Sequence, residues 1–151
     1  MGYWDLIGTS PDGFNWTQRS SGVNYNLHCI AYGNGCFVAG GPNGNGVTST
    51  NGINWSPMSV GFTGWSFGDI AYAEGIFLAT LSVAENGLIA YSSNGIDWNW
   101  KIPPDDTYWL TGVAYGNGTF VIVTDNYPNS IITSPDCCHW TARSPWASGY
   151  A

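Results

Sequence analysis

The sequence predicts an all-β fold of the propeller type, made of four-stranded antiparallel blades, and three observations predict it. One stretch, Thr9-Ser10-Pro11-Asp12-Gly13-Phe14-Asn15-Trp16, returns as residues 48–55 (Thr-Ser-Thr-Asn-Gly-Ile-Asn-Trp), 91–98 (Tyr-Ser-Ser-Asn-Gly-Ile-Asp-Trp) and 133–140 (Thr-Ser-Pro-Asp-Cys-Cys-His-Trp). A second stretch, Ile30-Ala31-Tyr32-Gly33-Asn34-Gly35-Cys36-Phe37-Val38, returns in phase with it at 70–78 and 113–121. No segment has a sustained helical period, and the 21 Gly and 8 Pro oppose one.

The first stretch reads as a tight turn between two strands. Asp or Asn starts such a turn by bonding its own backbone, and Gly supplies the positive φ of a primed hairpin. Asp12, Asn51, Asn94 and Asp136 take the first role, and Gly13, Gly52 and Gly95 the second. Trp16, Trp55, Trp98 and Trp140 follow at a fixed offset, on the next strand, where a large ring plugs the gap between sheets. They stand 39, 43 and 42 residues apart, which is a repeat of about 42 residues, the length of a propeller blade. The second stretch reads as strand, Gly/Asn turn, strand. Each repeat thus holds two hairpins.

Taken in order, the chain reads as one repeat domain, 1–151. Residues 3–16 are half a blade, with Tyr3–Ser10 matching the third strand of later repeats and Asn15–Ser20 the fourth. Residues 17–55, 56–98 and 99–140 are three full repeats, and 141–151 begin a further strand. A propeller closes with about four to eight blades, so three and a half call for completion by oligomerisation, since open sheet edges invite another chain. The half blade, with Tyr3, Trp4, Leu6, Ile7, Phe14 and Trp16 too apolar for water, is expected to complete a sheet with strands from elsewhere. The alternative is a fragment of a longer chain that closes its own ring.

Charge excludes several partners. Three basic residues, Arg19, Lys101 and Arg143, face ten acidic ones, for a net charge of −7. Binding to nucleic-acid phosphates or an anionic bilayer needs Lys and Arg, so neither is expected. No apolar run reaches the roughly 18 residues of a membrane span, so no membrane insertion is expected. The expected setting is extracellular or at the cell surface, although the first residues carry no signal peptide.

The Ser-x-Asp/Asn-Gly-x-x-Trp turn resembles the Asp-box, the bacterial neuraminidase (BNR) repeat of sialidase-type propellers, shortened by one residue between Asp and Gly. The resemblance spans nearly the whole chain and implies a structural role, in which the Asp ties the turn together. Sialidases, which the repeat resembles, hold the substrate carboxylate with three arginines, and this chain has Arg19 and Arg143 alone. A glycosidase also needs two carboxyls about 5 to 9 Å apart. The acidic residues here sit mostly in turns, Asp12, Asp97, Asp136 and Asp105-Asp106 among them. No enzyme is expected, and no cofactor.

Every Cys and His falls in two clusters, His28-Cys29 with Cys36, and Cys137-Cys138-His139. Cys137 stands where the other copies have Gly. A vicinal disulfide, an intersubunit disulfide, a zinc site and four buried thiols compete, and without a CxxC spacing no metal is assigned. Aromatic residues carry the ligand signal. Tyr25, Trp65 and Tyr108 each stand five positions before an Ile/Val-Ala-Tyr strand, at one mouth of the propeller, with Trp100 and Trp109 nearby. Such rings stack on glycans, or pack between blades and subunits. The resulting expectation is a non-enzymatic, self-assembling subunit, forming a closed oligomer or a filament. The other is a glycan-binding propeller lectin.

Overall fold

The computed structural model describes residues 6–84, 86–104, 109–125 and 131–143. Tyr3, Trp4, Asp105, Asp106 and Tyr108 lie outside them, as does the tail beyond Arg143. The described residues form one two-stranded and three four-stranded sheets, all antiparallel between sequence neighbours. β1 (Leu6–Thr9) and β2 (Thr17–Ser20) make the half blade. The first blade is β3 (Cys29–Gly33), β4 (Cys36–Gly40), β5 (Asn45–Ser49) and β6 (Ser56–Ser59). The second is β7 (Ser66–Ala73), β8 (Ile76–Val83), β9 (Asn86–Ser92) and β10 (Asn99–Lys101). The third is β11 (Leu110–Gly116), β12 (Thr119–Thr124), β13 (Ile131–Ser134) and β14 (Thr141–Arg143). The one helical element described is a 3₁₀ turn at Pro42–Gly44.

Local chemistry explains each turn. The hairpins β3–β4, β7–β8 and β11–β12 close through Asn34-Gly35, Glu74-Gly75 and Asn117-Gly118. Both residues of each pair have positive φ, 47 and 73, 52 and 78, and 53 and 74°, the signature of a type I′ turn. Between third and fourth strands the loop is longer than the primed turn expected. Residues 10–16 bridge Thr9 and Thr17, and Trp16 closes the loop instead of lying on β2. Gly13, Gly52, Gly95 and Cys137 do take positive φ, at 78, 70, 75 and 59°. The sheets are also out of phase with the sequence frame: 17–55, 56–98 and 99–140 each cut a sheet ahead of its fourth strand.

First strands β3, β7 and β11 stand side by side, so the blades fan around an axis with fourth strands outermost. The core lies between blades. Val38 and Met58 of the first blade join Phe67, Phe77, Leu81 and Leu88 of the second. Leu78 and Ile89 of the second join Leu110, Phe120, Ile122 and Ile132 of the third. Gly33 shows why small residues recur here, because a Cβ on it would lie 2.0 Å from the Tyr72 ring of the next blade. Fourth strands are largely exposed, Met58 apart, and carry Arg19, Pro57, Lys101 and Arg143, and cations and proline on an outer edge discourage pairing with another chain.

Candidate functional site

The fourfold loop is the most regular feature of the molecule. Within it Ser10, Ser49 and Ser92 Oγ accept from the N–H of Gly13, Gly52 and Gly95 at 2.8, 2.9 and 2.8 Å. Oδ1 of Asp12 accepts from Phe14 and Asn15 N–H at 2.9 and 2.8 Å, and Asn51, Asn94 and Asp136 do the same at 2.8 to 2.9 Å. The four Trp Nε1 groups donate to the carbonyls of Gly13, Gly52, Gly95 and Cys137 at 3.1, 3.1, 3.2 and 3.2 Å. All four rings therefore occupy equivalent places.

These loops use up their polar groups. Asp12 Oδ2 accepts from Asn15 Nδ2 at 2.7 Å, and Asp136 Oδ2 lies 2.8 Å from His139 Nδ1. The backbone N–H of Asn15 first, then its side chain, holds the Asp12 carboxyl well below the usual range. At Asp136 the His139 side chain leads, followed by the His139 N–H. A carboxylate held ionised by its own turn serves poorly as an acid or base.

Three of the four loops also seat on the blade before them. Gly52 faces Thr9 of the half blade, and Gly95 faces Val38 of the first blade, where an added Cβ would meet Cγ2 at 2.5 Å. Cys137 is buried among Leu78 and Ile89 of the second blade. Asn34 Nδ2 donates to the Ser93 carbonyl at 3.2 Å, and Lys101 Nζ to the Cys138 carbonyl at 3.0 Å. In the half blade the same loop is bare: a Cβ added at Gly13 would meet nothing within 4 Å, and Trp16 is 66% exposed where Trp55, Trp98 and Trp140 are half-buried.

The four described aromatic residues have different surroundings. Tyr25 donates its hydroxyl to the Gly46 carbonyl at 3.2 Å and lies over Gly41, inside its own blade. Trp65 packs against the first interblade core. Trp100 sits on the outermost strand β10, edge-on to Phe62 at 5.3 Å, away from the inner strands. Trp109 borders a cleft of about 340 Å³, with Ser66, Gly68, Ser82 and Thr111 on its walls.

Arg19 and Arg143 occupy outermost strands, where each Nε donates 3.2 Å to a threonine hydroxyl, Thr9 or Thr133. The four cysteines are free thiols, and no disulfide joins them within the chain. Burial pushes the Cys29 thiol up to about 12 and Cys137 to about 11. Among the described residues no group of three or more His, Cys, Asp or Glu converges on a metal position. No helix among them is long and apolar enough to cross a membrane.

Asp69 escaped the sequence reading. It follows a register shift between Phe67 and Asp69 in β7, and its Oδ2 accepts from Val113 N–H of the third blade at 3.1 Å. A lone carboxylate after Gly68 in an apolar strand was the available signal.

No protein-family model matches the sequence, and no curated protein matches it. Solved structures do match. YCF48 from Cyanidioschyzon merolae is 18% identical, with 95% of this chain and 50% of that one covered and a TM-score of 0.64. YCF48 bound to D1 peptide is 14% identical, covering 94% and 44%, with a TM-score of 0.64. Phage phi92 endosialidase is 13% identical, covering 86% and 29%, with a TM-score of 0.59. The chain thus spans half or less of the structures it resembles. What the likeness establishes, together with the stacked four-stranded sheets, is the fold: this is an all-β chain of the β-propeller class.

Proposed function

We propose that the chain is a non-enzymatic, self-assembling propeller arc whose fourfold loop is a shortened Asp-box. One observation carries the reading. Loop 10–16 is bare, whereas its three counterparts are seated on a preceding blade through Gly52, Gly95 and Cys137. The far face of the third blade offers a matching seat. Val121 and Val123 occupy the register of Val38 and Gly40, which are buried, yet Val123 is 45% exposed. Loop 10–16 of one copy on the third blade of another repeats an interface the chain already makes internally, and a head-to-tail contact of that kind propagates to a ring or a filament.

The absence of catalysis is supported by the way Asp12, Asp97 and Asp136 are bonded within their own turns and both arginines lie on outermost strands. Native mass tests the reading. Light scattering over a range of protein concentrations should give multiples of the single-chain mass. A particle of one chain at every concentration would refute it.

A lectin reading retains one observation, the exposed Trp109 ring beside hydroxyl-lined walls. It expects Trp fluorescence to shift on glycan addition without a change in particle mass.

A further inference from the structure

The second and third blades meet where β7 and β11 run side by side, and that join differs from the one between β3 and β7. Between the first two blades the space is filled. Gly44 N–H donates to the Trp65 carbonyl and Phe67 N–H to the Gly41 carbonyl at 3.0 Å, so the 3₁₀ turn at Pro42–Gly44 covers the start of β7. Between the second and third blades the matching connection is shorter, since β8 ends at Val83 and β9 begins at Asn86. The cleft of about 340 Å³ lies there, with Ala84 and Trp109 on its rim.

Its walls hold their side chains in place. Register shifts fall between Phe67 and Asp69 in β7 and between Leu110 and Gly112 in β11, one on each wall. Bulges re-aim side chains and gather beside binding sites. Asp69 Oδ2, accepting from Val113 N–H at 3.1 Å, ties the two walls together. Trp109 stands at φ 45°, where a bulky side chain is an outlier, and its carbonyl accepts from Asp125 N–H at 3.0 Å. Strain of that kind persists where the surroundings over-determine it, as in ligand clamps. The Trp109 ring is nonetheless 45% exposed.

The hydroxyls decide which ligand the cleft can read. Ser82 Oγ donates to the Leu110 carbonyl at 3.2 Å, and Thr111 Oγ1 to the Val123 carbonyl at 3.3 Å. A carbonyl can only accept, so both hydroxyl protons are committed and both oxygens present lone pairs. Such oxygens accept from a ligand O–H and repel a carboxylate, which has no proton to give. Among the described residues that line the cleft there is no Lys or Arg, and Arg19 and Arg143 lie on outermost strands.

We infer that the cleft is a site for an uncharged sugar, a neutral pyranose that stacks its C–H face on Trp109 and donates hydroxyls to Ser82 Oγ and Thr111 Oγ1. The volume is at the small end of ligand sites, roughly 300–1,000 Å³, and suits the end of a glycan, not a long stretch of one. The inference rests on the lectin reading above and adds the ligand class, which excludes the carboxylated sugars that sialidases hold.

Calorimetric titration and saturation-transfer NMR on the full chain test it. The probes are the methyl glycosides of glucose, galactose and mannose, with that of N-acetylneuraminic acid as the charged one. At least one neutral glycoside should bind with a dissociation constant on the order of 1 mM, roughly tenfold or more tighter than the charged one. Trp109→Ala, at an exposed ring, should melt like the parent and weaken binding roughly tenfold, as loss of an anchoring Trp does. Trp100→Ala, at another exposed ring, should leave binding unchanged. Fluorine in place of a ligand hydroxyl accepts but cannot donate, so at one ring position or more it should abolish binding. Equal affinity for the charged glycoside, unchanged binding in Trp109→Ala, equal loss in Trp100→Ala, or tolerance of fluorine at every position each overturns this site and leaves the lectin reading standing. No binding of any of the probes overturns both.

Discussion

Replacing Gly95 with Ala separates two roles of the repeated loop, and Gly52→Ala is its control. Both glycines have left-handed φ, 75 and 70°. An Ala in that region costs about 1 kcal/mol, since its Cβ crowds the following carbonyl. At Gly52 the new Cβ meets Phe37 Cε2 at 3.7 Å and Thr9 Cγ2 at 3.8 Å, ordinary contact distances. At Gly95 it meets Val38 Cγ2 at 2.5 Å. Val38 is fully buried in the interblade core and cannot step aside without moving its neighbours. Overpacking of that kind costs a further 1–3 kcal/mol or about that.

Gly52→Ala should therefore lose about 1 kcal/mol and Gly95→Ala about 2–4 kcal/mol. Urea unfolding reads both, at one protein concentration, because association would add a concentration term. Cys137 shows that the loop itself tolerates a side chain at φ 59° when the facing wall admits one. The excess at Gly95 thus belongs to the blade interface. If Gly95→Ala lost no more than Gly52→Ala, the loop would not be seated on the preceding blade.

Three further outcomes follow from the same geometry. Asp12 and Asp136 have carboxyls depressed below the ordinary value of 3.8 by hydrogen bonds in the turn. Their contribution is present above that value and is lost as pH falls through the folded-state value. Since Asn51 and Asn94 build the same loop with an amide, Asp12→Asn and Asp136→Asn should fold and flatten the acid side of a stability–pH curve. Native thiol titration with an aromatic disulfide should label exposed Cys138 quickly and leave Cys137 and Cys29, whose thiols burial keeps protonated, until the chain unfolds. Phe14→Ser, at a side chain 89% exposed, should leave the melt unchanged and reduce particle mass in light scattering; an unchanged particle would remove loop 10–16 from the interface.

The sequence exposed the parts of the fold whose chemistry is local. A left-handed position demands Gly or Asn, and a side-chain-closed turn demands Ser and Asp or Asn, so the hairpins and the loop are written at fixed spacings. Blade phase is not local, because a repeat has the same period wherever its count begins. The sheet begins at β3 and not at Thr17, since the outermost strand follows the Trp. The surroundings of the aromatic residues were not legible for a related reason. Spacing places Tyr25, Trp65 and Trp109 at like points on the chain, but it cannot say which ring finds a carbonyl or a core to cover it. Tyr25 reaches Gly46, Trp65 joins the interblade core, and Trp109 stays exposed. Asp69 was hidden because its value lies in a bulge that turns it toward Val113, a contact between residues 44 apart.

The bare loop separates cause from consequence in the repeat. Loop 10–16 makes the same internal bonds as its seated counterparts. Gly13 N–H reaches Ser10 Oγ at 2.8 Å, as Gly95 N–H reaches Ser92 Oγ, and Trp16 Nε1 reaches Gly13 O at 3.1 Å, as Trp55 Nε1 reaches Gly52 O. Its shape therefore comes from its own side chains and not from the blade that would cover it. A surface already fixed in its docked form forfeits little conformational entropy when it is covered. The same loop thus serves as a closed turn when alone and as a preformed plug beside a neighbouring blade. Repeat chains can add blades one at a time on that basis, because each new blade meets a finished surface and does not have to fold one. Net charge works against this. With three cations against ten acidic side chains, copies would repel at long range, so the docking proposed above should strengthen as salt shortens the reach of that repulsion.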